Sequence, residues 1–275
     1  MKIKDYKNFY ASIKSHPKKS LGQNYLVDKN VLLKIEEIAD LKPSDLVIEV
    51  GTGFGFLTSF LAGRVKNVIT IEKDKTVYDL VEQKFQELQN VKFICKDALD
   101  INFVDIVGDN KFKFISNLPY SVASKIILSL IECSNSFTSL VVMLQKEVGQ
   151  RICSNPNSKQ YGAFSVIIQS YFDVKIAHTV SPNSFWPKPD VDSVIIKMVP
   201  RKEKIVSDRD RSVFNEVVKK AFQTRRKKMI NNLKSLKDPN VLIKIFEKLD
   251  LNTNTRAEQL GLNDYVALTK ELINS

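Results

Sequence analysis

Asn117-Leu118-Pro119-Tyr120 puts a side-chain amide, a proline-fixed turn and an aromatic ring within four residues. Pro119 has no N–H and a locked φ, so the carbonyls before it are held in a fixed direction. Leu118, as the residue before proline, is pushed towards an extended conformation. The product is a rigid pair of acceptors, the Asn117 side-chain oxygen and a backbone carbonyl, beside the π-face of Tyr120. A primary amine on a flat ring suits such a place, its N–H groups meeting the acceptors while the ring stacks on tyrosine. Read alone, the same four residues are equally a plain turn, since Asn and Pro are frequent turn formers.

Three further groups carry chemistry. Gly51-Thr52-Gly53-Phe54-Gly55 allows a tight turn and close backbone approach to a ligand. Glu72 stands 21 residues after Gly51, near the spacing at which doubly wound folds set an acid on a ribose hydroxyl pair. Asp97-Ala98 adds a second acid. Singly, each has a bland reading: a βα turn, or a solvated loop acid.

The elements that position them change the balance. Apolar, β-rich runs lie at 46–50, 68–71, 91–94 and 112–116, with helical spacing between them at 56–61 and 77–85. The glycine loop, Glu72, Asp97 and Asn117 each follow one of these four runs directly. The alternation predicts a right-handed parallel sheet with helices on both faces and a ligand site at the strand ends.

Around this frame, Asp28 reads as the N-cap of a helix over Val31, Leu32, Ile35, Ile38 and Ala39. A helix is predicted over 121–132, a strand over 138–144 and a helix over 146–152. An exposed loop follows over 154–162, then an apolar segment over 164–172 and strands at 174–179 and 193–199. Between those strands, three prolines stiffen 181–189, which carries Phe185 and Trp186. These rings either pack down or meet a flat ligand. After Pro200 the chain turns polar over 201–210 and then purely helical. The expected organisation is a flexible basic arm over 1–20, an α/β domain over 21–203 and a small all-helical domain over 204–275.

Charge is unevenly placed. The net is +11, yet residues 1–20 carry 6 Lys against 1 Asp, and residues 201–275 carry 17 Lys+Arg against 10 Asp+Glu. A polyanion is expected at the two ends, through Lys18 and Lys19 and through Arg225, Arg226, Lys227 and Lys228. No 18-residue apolar run predicts a membrane span, and the N-terminus lacks the apolar core of a signal peptide, which points to the cytoplasm. The 3 cysteines are spaced for neither disulfides nor zinc, and 2 histidines leave metal or triad chemistry little material, so no metal is expected.

The combination resembles the small-subunit ribosomal RNA adenine dimethyltransferases, including the Dim-type enzymes. The likeness runs through residues 19–26, 49–55, 117–120, 185–193, 221–227 and 256–260, with Asp264-Tyr265 after them. It departs only in small ways, as at Tyr25, Ser184 and Trp186. It implies a Rossmann-like class I methyltransferase with a mostly parallel seven-stranded sheet and a C-terminal helical domain that binds RNA. It also implies an S-adenosyl-L-methionine site. Asn24 and Leu26 would close over it, and Gly51 and Gly53 would approach its amino acid part. Glu72 would accept from its ribose, while Asp97, with Ala98 alongside, would read its adenine amine. Asn117, Leu118, Pro119, Tyr120 and Phe185 would hold the target adenine, the last by stacking opposite Tyr120, and Asn117 would also contact the methyl donor. The implied reaction dimethylates two adjacent adenosines in the 3′-terminal hairpin loop of 16S rRNA, within the small subunit or its precursor, by a monomer. The alternatives are a large-subunit rRNA methyltransferase of the antibiotic-resistance type, an amino-methylase of DNA, or an assembly factor that acts chiefly by binding.

Overall fold

In the computed structural model, residues 7, 8, 10, 11, 16–18 and 22–275 are described. Most of the expected basic arm, Lys19 included, lies outside them. The chain separates into two units, Met1–Gly149 with Lys175–Pro200, and Gln150–Val174 with Arg201–Ser275.

In the first unit, the β-branched runs form strands β2 (Leu46–Val50), β3 (Asn67–Glu72), β4 (Val91–Cys95) and β5 (Phe112–Asn117). They are followed by β6 (Phe137–Gln145) and β9 (Ser193–Pro200). The sheet has seven strands in the order β4-β3-β2-β5-β6-β9-β7, where β7 is Phe172–Val180. The contacts β4-β3, β3-β2, β2-β5 and β5-β6 are parallel, and β6-β9 is antiparallel. The chain leaves β2 outward to β3 and β4, then returns to the other side of β2 as β5. That reversal is the switch point at which such sheets open a crevice.

Register brings the strand ends level. Val50 pairs with Ile71, Glu72 with Cys95 and Asn117 with Met143. Ser116 Oγ also donates to the Val50 carbonyl at 2.5 Å, tying β5 to β2 at the rim.

Helices cover both faces. α1 (Lys29–Ala39) is capped by the Asp28 carboxylate and lays Val31, Leu32, Ile35 and Ala39 onto Val47, Val68, Ile115 and Ile195. Each of the Val, Leu and Ile side chains contributes about 1.5–3 kcal/mol through burial. α2 (Phe56–Ala62) adds Leu57 and Leu61 to this layer. Strand alternation turns Phe114 to the opposite face, where it meets Phe103 of α4 (Phe103–Val107) and Phe137 edge-on. α3 (Lys75–Lys84) buries Val77 and Val81. α5 (Ala123–Ser129) is shorter than the expected 121–132, because the Asn117–Tyr120 turn runs on through Val122 N–H to the Pro119 carbonyl. α6 (Lys146–Ile152) follows β6 where the sequence places it.

Two strands lie outside the sequence pattern. β1 (Tyr25–Leu26) and β8 (Phe185–Trp186) pair antiparallel as a separate two-stranded sheet, in the register Tyr25 with Trp186 and Leu26 with Phe185.

The second unit holds α7 (Ala163–Tyr171), α8 (Arg211–Ala221), α9 (Met229–Leu233), α10 (Pro239–Lys248) and α11 (Leu262–Asn274). The apolar segment after residue 163 is thus a helix, buried on most sides through Val166, Ile167 and Ile168. Residues 150–174 fall in this unit, so it is wider than the expected span of 204–275. Its core stacks Phe222 on Tyr265 (5.9 Å, 28°) and sets Tyr161 edge-on to Phe222. The Tyr265 hydroxyl donates to the Ala257 carbonyl, which anchors the turn of residues 256–260.

Candidate active site

The loops leaving β2, β3, β4 and β5 enclose one cavity of about 870 Å³, its mouth included. Asn24, Gly51, Gly53, Glu72, Asp97, Ala98, Asn117, Leu118, Pro119 and Tyr120 all line it.

The glycines are set by conformation and space. Gly51 has φ +84° and lies against the Pro119 ring, so the β2 and β5 loops pack on each other at the switch point. Gly53 has φ +51°, and a Cβ there would sit 2.9 Å from the Tyr25 ring. Only glycine meets both conditions without strain. The Gly53 N–H donates to Glu72 Oε2 and the Asp74 N–H to Oε1, both at 2.9 Å. Burial raises the Glu72 carboxyl above its ordinary range, against the lowering effect of these two N–H groups. Its free lone pairs remain acceptors at the cavity wall.

Asp97 closes β4. Its Oδ1 accepts the Leu99 N–H at 3.0 Å and its Oδ2 holds the Lys73 ammonium. That ammonium, followed by the Leu99 N–H, draws the Asp97 carboxyl below its usual value.

Asn117 is the most specific feature. Its Nδ2 donates to the Asn24 carbonyl at 3.1 Å, which fixes the orientation of the amide. Its Oδ1 is buried and has no hydrogen-bond partner. An orphaned buried acceptor costs about 1–3 kcal/mol, and such groups in native proteins call for a missing donor. Among the described residues no N–H or O–H donates to the Leu118 carbonyl either. Tyr120 is locked beside them, its hydroxyl and Ser193 Oγ sharing a hydrogen bond of 2.5 Å.

The Gly22–Asn24 stretch is strapped across the site. Gln23 Nε2 donates to Asp74 Oδ2 at 2.9 Å, and its Oε1 accepts the Lys18 N–H at 2.7 Å. Lys18 Nζ reaches the same Asp74 oxygen at 3.0 Å. Lys18 is thereby engaged at the rim of the site, with its side chain still 48% exposed. Gln23, Tyr25, Lys73, Lys96, Val122 and Ile126 are among the other residues that line it, and none of them was given a ligand role from the sequence. Adjacency could have signalled them: Gln23 and Tyr25 flank Asn24, Lys73 follows Glu72, Lys96 precedes Asp97, and Val122 and Ile126 lie just past Tyr120.

Two expected residues are not on the cavity wall. Phe185 is 3% exposed and Leu26 4%, both in the core beneath α1. The β1-β8 pairing turns these two side chains inward together. A stack of the target base against Phe185 is corrected accordingly: of the two rings, Tyr120 alone faces the cavity. Trp186 and Tyr25 join Phe54 and Tyr10 in an aromatic cluster.

In the second unit, Arg226, Lys227 and Lys228 line an open groove, and Lys220, Lys234 and Arg256 share it. Arg225 does not line it; its Nη2 donates to the Ser158 carbonyl at 3.1 Å. The loop is held by Asn232 Nδ2, which donates to the Ala221 and Thr224 carbonyls.

The family model for ribosomal RNA adenine dimethylase matches residues 14–274. The chain belongs to that family. Ribosomal RNA small subunit methyltransferase A of Clostridium botulinum (strain Okra) is 41% identical over 253 residues, covering 91% of this chain and 92% of its own. The protein of the same name from Clostridium acetobutylicum is 38% identical over 256 residues, with 92% and 93% covered. The crystal structure of a dimethyladenosine transferase from Plasmodium falciparum superposes with a TM-score of 0.75 at 25% identity, over 88% of this chain and 95% of that one. The 23S rRNA methyltransferase ErmE gives 0.70 at 21% identity, over 91% and 100%, a likeness of fold.

As a member of the rRNA adenine dimethylase family, the protein is an S-adenosylmethionine-dependent rRNA adenine dimethyltransferase. The lining suits that methyl donor in its chemistry: backbone opened by glycines, two carboxylates able to accept, and one buried acceptor without a partner. No helix among the described residues is long and apolar enough to cross a membrane, and no group of metal-ligating side chains occurs among them.

Proposed function

We propose that this dimethyltransferase acts on two adjacent adenosines in the 3′-terminal hairpin loop of 16S rRNA, in the small subunit or its precursor. It works there as a cytoplasmic monomer. Support for the small-subunit target comes from the two clostridial relatives, whose names carry it. The helical unit supplies the RNA grip through Arg226, Lys227 and Lys228, with Lys220, Lys234 and Arg256 beside them. The observation that carries the catalytic reading is the unpartnered Asn117 Oδ1 at the cavity wall.

An adenine taken out of a loop costs a few kcal/mol to extrude, least where it is already unpaired. Stacking on Tyr120 returns about 1–3 kcal/mol. Asn117 Oδ1 and the Leu118 carbonyl accept the two N–H groups of the exocyclic amine. Holding both protons turns the nitrogen lone pair out of conjugation with the ring and aims it along one line. S-adenosylmethionine supplies a methyl group on a sulfonium, ready for in-line displacement. The chain's part is positioning and electrostatic stabilisation of the nitrogen as it becomes positive, so the proton leaves without a strong base. One N–H remains after the first transfer, and the same pair of acceptors can hold it for the second.

Asn117→Ala tests this. Methyl incorporation into small subunits, followed with labelled donor, should fall about 100-fold or more while particle binding stays near wild type. Wild-type turnover from the variant overturns the role. Mass spectrometry of the RNA locates the product, and label entering only large-subunit RNA refutes the target.

A further inference from the structure

Lys73 and Asp97 follow the ends of neighbouring strands β3 and β4, and both line the cavity. The Lys73 ammonium sits on Asp97 Oδ2, while Oδ1 accepts the Leu99 N–H. Lys73 is half out in solvent, its side chain 57% exposed against 22% for Asp97. The acceptor positioned for the donor's adenine amine is thus shared with a strongly hydrated cation on the cavity's own wall. A neutral amine offers that carboxylate less than an ammonium does.

We propose that Lys73 competes for Asp97 Oδ2 and thereby sets the affinity for the adenosyl group, weakening both methyl donor and demethylated product. The inference rests on the reading that Asp97 meets the adenine amine. Filling the site requires the ammonium to swing outward or to share the oxygen; emptying it lets the ammonium return and favours product release. The paired shifts agree with this contact, Lys73 being raised chiefly by Asp97 and Asp97 lowered chiefly by Lys73. An exposed ion pair is a small barrier, so the effect is a tuning of affinity and not a block.

Calorimetric titration of the full chain with S-adenosylhomocysteine, which has no net charge, tests the competition. Lys73→Met should tighten binding about two- to five-fold. Raising the salt concentration should bring the wild type towards the variant, because screening loosens the ion pair. Lys96→Met, which removes a second cation from the same cavity wall, should not reproduce the gain. Were the ion pair merely structural, its removal would move affinity the other way. If Lys73→Met binds no tighter than wild type while Asp97→Ala weakens binding, the competition is refuted and the Asp97 reading stands. If Asp97→Ala has no effect in the Lys73→Met background, the Asp97 reading itself fails, and the competition with it.

Discussion

Asn117 and Asn24, 93 residues apart, are joined by one hydrogen bond from a side-chain amide to a backbone carbonyl. That bond links the turn at the end of β5 to the Gly22–Asn24 stretch, both on the wall of the same cavity. It also settles which end of the Asn117 amide faces the cavity, because only an N–H can meet a carbonyl.

Asn117→Asp isolates this link. The replacement keeps the size and the acceptor but sets a carboxylate oxygen against the Asn24 carbonyl. Equilibrium binding of S-adenosylhomocysteine should weaken about five- to tenfold, the worth of one hydrogen bond turned into a repulsion. Unchanged binding would show that the Asn24 stretch is held by other means.

A second expectation concerns Glu49, a fully buried carboxyl under the glycine loop. Thr58 and Thr70 both donate to its Oε2, at 2.6 and 2.8 Å, and Thr70 also meets Thr52 of the loop. Burial pushes this carboxyl up from 4.5 to about 8, beyond what the two hydroxyls draw back. Between those two values the folded chain keeps a proton that the unfolded chain releases. Stability from this group therefore falls as pH rises, by up to about 1.4 kcal/mol per pH unit, and levels off above pH 8. Glu49→Gln stays neutral throughout. Urea unfolding at pH 5 and pH 8 should show the variant gaining a few kcal/mol on the wild type between the two. A gap independent of pH would mean that Glu49 is ionised in the folded state.

The strand-end quartet was legible because it rests on local signals: β-branched runs, glycines where φ must be positive, and an acid or amide at a fixed place after each strand. The sheet and its switch point follow from the same alternation. The β1-β8 pair was not legible, since strands of two residues have no period to read. With it went the facing of Phe185 and Leu26, which the motif alone leaves undecided between cavity and core. The Lys18–Asp74 and Lys73–Asp97 pairs join residues far apart in the chain, and charge counts cannot choose between a partner and solvent. Residues 150–174 escaped assignment to the helical unit because its borders fall inside α6 and β7, where no linker composition marks them.

The groove of the helical unit separates neighbours that look alike in sequence. Replacing Arg226, Lys227 and Lys228 together by alanine should weaken RNA binding and flatten the slope of log Kd against log salt. Each phosphate left without its cation takes about 0.7–0.9 from that slope. Arg225→Ala should leave the slope nearly unchanged and lower Tm instead, as it frees the Ser158 carbonyl. Filter binding over a salt series distinguishes the two, and a slope shared equally among all four residues would contradict the groove.

Asp74 carries the last prediction. Its side chain is 5% exposed, takes Lys18 and Gln23 on one oxygen, and caps α3 with the other through the Thr76 N–H. Asp74→Ala removes a helix cap worth about 1 kcal/mol. It also leaves Gln23 Nε2 without its acceptor, so the Gly22–Asn24 stretch loses its tie to the loop after β3. Thermal unfolding should report the cap as a drop of a few degrees in Tm. Steady-state kinetics should report the strap separately, as a donor KM raised several-fold with kcat little changed, because the target-base acceptors on β5 are untouched. Asp74→Asn keeps one acceptor oxygen where two are in use, so it should restore the helix cap or the Gln23 tie but not both. A loss of kcat in Asp74→Ala with normal donor KM would mean that the strap acts on the target base instead.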